Sequence, residues 1–174
     1  LGGDVDIDTV IESGSAVAIT GSTISGFDVV ENFTKVQDIL NFNSNNDRVV
    51  GTQQYSNPST FSLETWIRTT DSNGGRVIGF GNGTGQTSSN YDRHLYLLSD
   101  GRLRYGVWTG VASTIDSPTA VNGGNWHHVV VTQQPGEQKL YVDGALVASG
   151  TASTQQDYTG YWRLGSDNTW DGDR

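Results

Sequence analysis

Four aromatic side chains, Tyr91, Trp108, Tyr158 and Trp170, stand in or beside segments rich in Gly, Ser and Asn. In such loops a ring stays accessible and can stack on the C–H face of a sugar, so these four are the candidate ligand-binding residues. Trp66, Trp126 and Trp162 fall instead inside apolar alternation and are read as core or inter-sheet packing. Loop Asp and Asn residues offer a second chemistry. Calcium takes roughly six to eight oxygens from carboxylates, carbonyls and water, and such residues are its natural ligands.

Other chemistries find little support. His127 and His128 are adjacent, so on a strand they point to opposite faces and cannot share one metal. One of the pair is expected to pack beneath the sheet while the other faces solvent. With no Cys and only His94 remaining, a zinc site is not expected. Asp4, Asp6 and Asp8 alternate but lack the Gly and the closing Glu of an EF-hand loop. No G-x-S-x-G elbow is present. Asp100 and Asp143 each precede Gly between apolar stretches, where Asp tolerates the hairpin's positive φ, and they are read as turn residues.

Strands and tight turns carry these residues. The 174-residue chain carries 23 Gly against three Pro and shows no apolar run of helical period, a texture of short strands and tight turns. Residues 61–69 alternate Phe61, Leu63, Thr65 and Ile67 with Ser62, Glu64, Trp66 and Arg68, as a half-buried strand does. Further strands are expected at 76–80, at 94–98 turning through Asp100-Gly101 into Leu103, Tyr105 and Val107, and at 126–132. Another follows Pro135-Gly136 at 140–142 and turns through Asp143-Gly144 into Leu146 and Val147, and a last one lies at 161–164. This spacing predicts an antiparallel sandwich or jelly roll. All five Trp and all seven Tyr lie beyond Phe42, which places a boundary near Leu40.

Nineteen acidic against ten basic residues give a net charge of −9, which repels nucleic acid and most anionic membranes, so neither is an expected partner. No stretch approaches the roughly 18 apolar residues of a membrane-spanning helix. The absence of Cys removes disulfides and thiol chemistry, and with the acidic balance suits a bacterial surface protein. With no Met anywhere, the chain is read as an excerpt from a longer polypeptide.

The succession "FSLETWIRT", "GRVIGFGNG", "NYDRHLYLLSDGRLRYGV", "NWHHVVVT", "KLYVDGALV" and "YWRLGSDN" resembles the bacterial laminin-G-like, concanavalin-A-like jelly-roll domains. The resemblance implies an all-β, antiparallel two-sheet sandwich over residues 41–174, preceded by a short β-rich N-terminal segment, 1–40. It also implies calcium at one rim, held by Asp92 before the strand that enters an Asp-Gly hairpin and by Asp167 in a later loop. Asn90, Asn168, Asp171 and Asp173 are supplementary candidates; the alternative is that Asp92 caps its strand and accepts hydrogen bonds from Arg93 or backbone amides, with the Asp-rich tail solvated. Glucanases of this architecture carry catalytic carboxylates as E-x-D-x-x-E. The four Glu here, at 12, 31, 64 and 137, never fall in that spacing, so no enzymatic activity is expected.

Two departures shape the remaining expectations. Domains of this kind usually end on a pattern like F-x-G-x-I-D-E-V, absent before Arg174, so the final strands are expected to be missing and the sheet beside 161–164 to be open, unless a partner chain or the N-terminal segment fills it. An open edge invites pairing with another chain. The N-terminal "GFDVVENFTKVQDILNF" resembles closing strands of repeats-in-toxin adhesins, and "GGDVDIDTV" an approximate calcium repeat. The chain is thus read as an extracellular or cell-surface adhesion module binding a glycan or a surface protein with calcium. The alternative is a structural subunit of a fibre or shell joined through sheet edges.

Overall fold

The computed structural model describes residues 5–12, 16–18, 27–30, 34–36, 39–152 and 154–171, with backbone and pairing alone before Leu40. Asp4, Glu31, Asp173 and the Gly2-Gly3 of the approximate repeat lie outside the described residues. The described residues are all β, without helix. The strands are β1 (Val5–Glu12), β2 (Ala16–Ala18), β3 (Phe27–Val30), β4 (Thr34–Val36), β5 (Ile39–Phe42), β6 (Arg48–Gly51), β7 (Tyr55–Ser56) and β8 (Phe61–Thr69). They continue as β9 (Gly75–Gly81), β10 (Tyr91–Leu97), β11 (Arg102–Trp108), β12 (Ala112–Ala120), β13 (Trp126–Gln134), β14 (Glu137–Val142), β15 (Ala145–Gly150) and β16 (Thr159–Gly165).

Two antiparallel sheets form the layers. The first runs β15-β14-β13-β8-β1-β5-β4, with β2 beside β1; the second runs β12-β11-β10-β9-β16-β6-β3, with β7 beside β16. Alternation dictates the core between them. Phe61, Leu63 and Ile67 of β8, Val129 and Val131 of β13 and Leu140 of β14 point inward from the first sheet. Ile78 and Phe80 of β9, Leu95 and Leu97 of β10, Leu103, Tyr105 and Val107 of β11 and Trp162 of β16 meet them from the second. Burying one such side chain contributes roughly 1.5–3 kcal/mol, which is what selects the register.

Both Asp-Gly pairs sit at hairpin tips. At the β14–β15 turn Asp143 and Gly144 have φ of 52° and 80°, the double positive φ of a type I′ turn. β12 was not legible as a strand: it lacks alternation and contains Pro118, which an edge strand tolerates because its outer side needs no N–H.

The strand at 161–164 is not an edge. β16 pairs β9 through Trp162 and Phe80 and pairs β6 through Leu164 and Val49. β1 lies between β8 and β5, its register running from Val5 opposite Thr69 to Glu12 opposite Ser62. β3 extends the second sheet through β6.

A candidate sugar-binding cleft

Where β10 begins, its pairing with β9 is interrupted by a bulge between Asp92 and Leu95, and Arg93 takes a φ of 50°. Consecutive strand residues normally point to opposite faces. The bulge instead turns both Asp92 and Arg93 inward, and both are fully buried. Each is then satisfied by a ring of partners. Asp92 Oδ2 accepts from the backbone amides of Trp108 at 3.1 Å and Gln156 at 3.2 Å, while Oδ1 pairs with Arg93 Nη1. Arg93 donates Nε to the Pro58 carbonyl at 2.9 Å and Nη2 to the Gln156 carbonyl at 2.8 Å and to Asn57 Oδ1. Its guanidinium lies 5.2 Å from the rings of both Phe80 and Tyr158.

Above this buried pair lies a cleft of about 250 Å³ lined by Ser89, Tyr91, Trp108, Gln156 and Trp170. Three of the four candidate ligand-binding aromatics therefore share one wall system. Trp108 is 37% exposed, and Trp170 lies 6.2 Å from it, centroid to centroid. Trp170 packs edge-on at 4.3 Å against His94 and over Gly106, where an added Cβ would sit 2.5 Å from the indole. Gln156 is held by its side chain as well, Nε2 donating to Asn90 Oδ1 at 3.2 Å. The fourth aromatic, Tyr158, is buried against Phe80, rings 5.1 Å apart, and its hydroxyl accepts from the Asp92 amide at 3.1 Å. It braces the cleft from below and does not line it.

The family model of the Concanavalin A-like lectin/glucanases superfamily matches residues 43–174. The chain belongs to this superfamily. No curated protein sequence matches it. Among solved structures it is similar to the carbohydrate-binding module CBM66 from Bacillus subtilis, at TM-score 0.52 and 13% identity over 81% of this chain and 88% of that one. It is also similar to apo Crh5 transglycosylase, at TM-score 0.53 and 11% identity over 88% of this chain and 70% of that one. Mouse laminin alpha1 domains LG4-5 match at TM-score 0.49 and 21% identity over 67% of this chain and 30% of that one. At these identities the first two structures show the fold alone; a superfamily of lectins and glucanases leaves activity to be argued from the site.

The residues expected to hold calcium in this superfamily member are differently engaged. Asp167 is buried; its Oδ1 accepts from the amides of Ser88 at 2.7 Å and Asn168 at 2.8 Å. Its Oδ2 accepts from the Ser88 hydroxyl at 2.8 Å and forms ion pairs with Arg76 at 2.7 Å and Arg163 at 3.2 Å. Burial pushes this carboxyl up, but the two guanidiniums and Ser88 outweigh it and leave it below the usual carboxylate range. For Asp92 the balance reverses: burial dominates over Arg93 and its hydrogen bonds and raises the carboxyl. The two aspartates share no partner. A carboxylate offers about four lone-pair directions, and these are taken. A calcium ion at either oxygen set would have to displace guanidinium groups, so Asp92 and Asp167 do not fit it.

The supplementary candidates are dispersed likewise. Asn90 serves Gln156; Asn168 donates Nδ2 to the Ser88 carbonyl at 3.0 Å. Asp171 pairs with Arg104 at 3.0 Å and accepts from the Tyr96 hydroxyl at 2.5 Å. Among the described residues no three or more His, Cys, Asp or Glu gather as a metal site.

Two packing expectations also change. Register sets His127 opposite the inward Ile67 and His128 opposite the outward Trp66, but both imidazoles are only half-buried, His127 Nδ1 meeting Asp143 Oδ2 and His128 Nε2 meeting Glu64 Oε1, each at 2.8 Å, so neither is packed into the core. Trp162 is in the core as expected, but Trp66 is 46% exposed. Its place follows from β8 itself: Trp66 alternates with Thr65 and Ile67, whose side chains take the inner face.

Proposed function

We propose that the chain is a non-catalytic carbohydrate-binding module whose cleft takes one sugar ring between Trp108, Trp170 and Tyr91. The observation that carries this reading is that three aromatics remote in sequence, with Ser89 and Gln156 as hydrogen-bonding groups, line one small concavity. A volume of about 250 Å³ falls below the roughly 300–1,000 Å³ of sites for larger ligands. It suits a single ring, the end or branch of a glycan. The lining carries no ionised side chain, which favours a neutral sugar. Asp92, the buried carboxylate beneath it, is sealed by its own donors. The likeness to the CBM66 module in fold is consistent with this use of the rim.

Such a module belongs on secreted or cell-surface proteins, where glycans are, and adhesion to a glycan-bearing surface is the role proposed for it. Calcium has no place in this binding through Asp92 and Asp167. The test is a glycan array followed by calorimetry on the sugars retained. Trp108→Ala is expected to weaken binding at least tenfold, about 1.4 kcal/mol, with unchanged melting. Parent protein that holds no glycan, or a Trp108→Ala variant that binds as the parent does, overturns the reading.

A further inference from the structure

The outer face of the first sheet carries a second aromatic surface, away from the cleft. From β8 it presents Glu64, Trp66 and Arg68; register sets His128 of β13 beside Trp66 and Trp126 beside Arg68. We infer that this face is a platform for an extended, neutral polysaccharide chain, with Trp66 as its principal stacking ring.

Trp66 gives nothing to the core and stands 46% exposed, yet its orientation is fixed. The His128 ring lies 5.0 Å from it at 33°, and His128 is itself pinned by Glu64 at 2.8 Å. Trp126 is capped by the Arg68 guanidinium at 5.1 Å. An exposed ring braced in place loses little freedom on contact, which is the condition for productive stacking. Charge then selects the occupant. Register sets Asp6 opposite Arg68 and Asp8 opposite Trp66, so with Glu64 the acidic residues around the ring outnumber its one arginine; this charge, like the net −9, repels nucleic acid and anionic polymers and leaves a neutral one. What remains is planar aromatic surface edged by hydrogen-bonding groups, the complement of a sugar chain's C–H faces and hydroxyls. The platform lies on an open sheet face, whereas the cleft is small and concave, so the two take different parts of a polymer: a run of internal residues here, a terminal ring there.

The inference shares with the proposed function only the premise that the module binds sugars. The test uses the whole chain against insoluble cellulose, xylan, a soluble β-glucan and chitin, alongside short oligosaccharides from each. Trp66→Ala is expected to lose about tenfold in retention on at least one polymer, with melting and oligosaccharide binding unchanged. His128→Gln, which keeps the ring but removes its brace, gives a smaller loss on the same polymer. Trp108→Ala changes oligosaccharide binding instead, so failure of either site is read separately. The inference is overturned if Trp66→Ala and His128→Gln match the parent on all four polymers, or if none of the four retains the parent. It is also overturned if Trp66→Ala instead dissociates a dimer of the parent, which would make the face an interface between copies.

Discussion

The Asp92 carboxylate accepts the backbone amide of Trp108 at 3.1 Å from a fully buried position. The exposed wall of the cleft therefore hangs from an internal charge. The same carboxylate takes the Gln156 amide, and Arg93 takes the Gln156 carbonyl, so one buried pair fixes both sides of the opening.

Asp92→Asn tests that relationship. The amide would keep one acceptor oxygen but turn an NH2 toward donors, and would leave Arg93 buried without its anion. Breaking a buried pair from one side costs about 3–5 kcal/mol, and about 1 kcal/mol lowers melting by roughly 2–4 °C in a chain this size. A fall on the order of 10 °C is expected, with weaker glycan binding as Trp108 and Gln156 loosen. A melting curve superimposable on the parent's would mean the network is not what holds the walls.

Chelation tests the fate of the rim aspartates. An ion bound at 100 times its Kd would stabilise the fold by about 2.7 kcal/mol, readily visible in melting. Because guanidinium groups already neutralise Asp92 and Asp167, melting in millimolar calcium and in excess chelator is expected to coincide. A calcium-dependent rise that vanishes in Asp92→Asn would restore the ion to this rim.

The same rim shows what the sequence could and could not disclose. β8 was readable because Phe61, Leu63, Thr65 and Ile67 occupy one face of a period-two pattern, and the Asp143-Gly144 turn because few residues accept its positive φ values. Tyr91, Trp108 and Trp170 could be singled out by their loop setting, and they do converge. Arg93 and backbone amides were the alternative reading for Asp92, but the full pairing, with Arg76 and Arg163 on Asp167, could not be read. That pairing depends on a bulge that turns Arg93 inward and on β9 and β16 lying side by side, which brings Arg76 and Arg163 to one carboxylate. Long-range register of this kind leaves no local signature. The isolated clue was arginine inside otherwise apolar strands, at Arg76 in β9 and Arg163 in β16.

His94 sets a pH dependence. Burial, and then the charge of Arg76, hold its pKa well below the ordinary 6.5, so the folded protein keeps it neutral. A group with a depressed histidine pKa favours the folded state fully above about pH 6.5, and that contribution is lost as pH falls and the unfolded chain takes the proton, at up to about 1.4 kcal/mol per pH unit. Asp167, also depressed, adds a loss of the same sign at lower pH, as pH falls below its ordinary value of 3.8. Stability measured by denaturant titration is expected to decline from pH 7 to pH 5, and His94→Gln to flatten that decline. Equal slopes in the two proteins would show that His94 is not the responsible group.

Comparing Trp108→Ala with Tyr158→Phe separates lining from bracing. Both were singled out as ligand-binding aromatics, yet only Trp108 reaches the cleft, while the Tyr158 hydroxyl sits between the Asp92 amide at 3.1 Å and the Phe80 carbonyl at 2.9 Å. Removing that hydroxyl leaves a buried donor and acceptors short of a partner, a cost of about 1–3 kcal/mol in stability. The cleft aromatics stay in place, so sugar affinity at a temperature where both variants are folded should shift less than threefold, well under the tenfold that marks 1.4 kcal/mol. Trp108→Ala should do the reverse, sparing stability because its ring is exposed and abolishing most of the affinity. If calorimetry instead finds Tyr158→Phe the more damaging to binding, the sugar must reach deeper than the cleft floor, and the division between Trp108 as contact and Tyr158 as support fails.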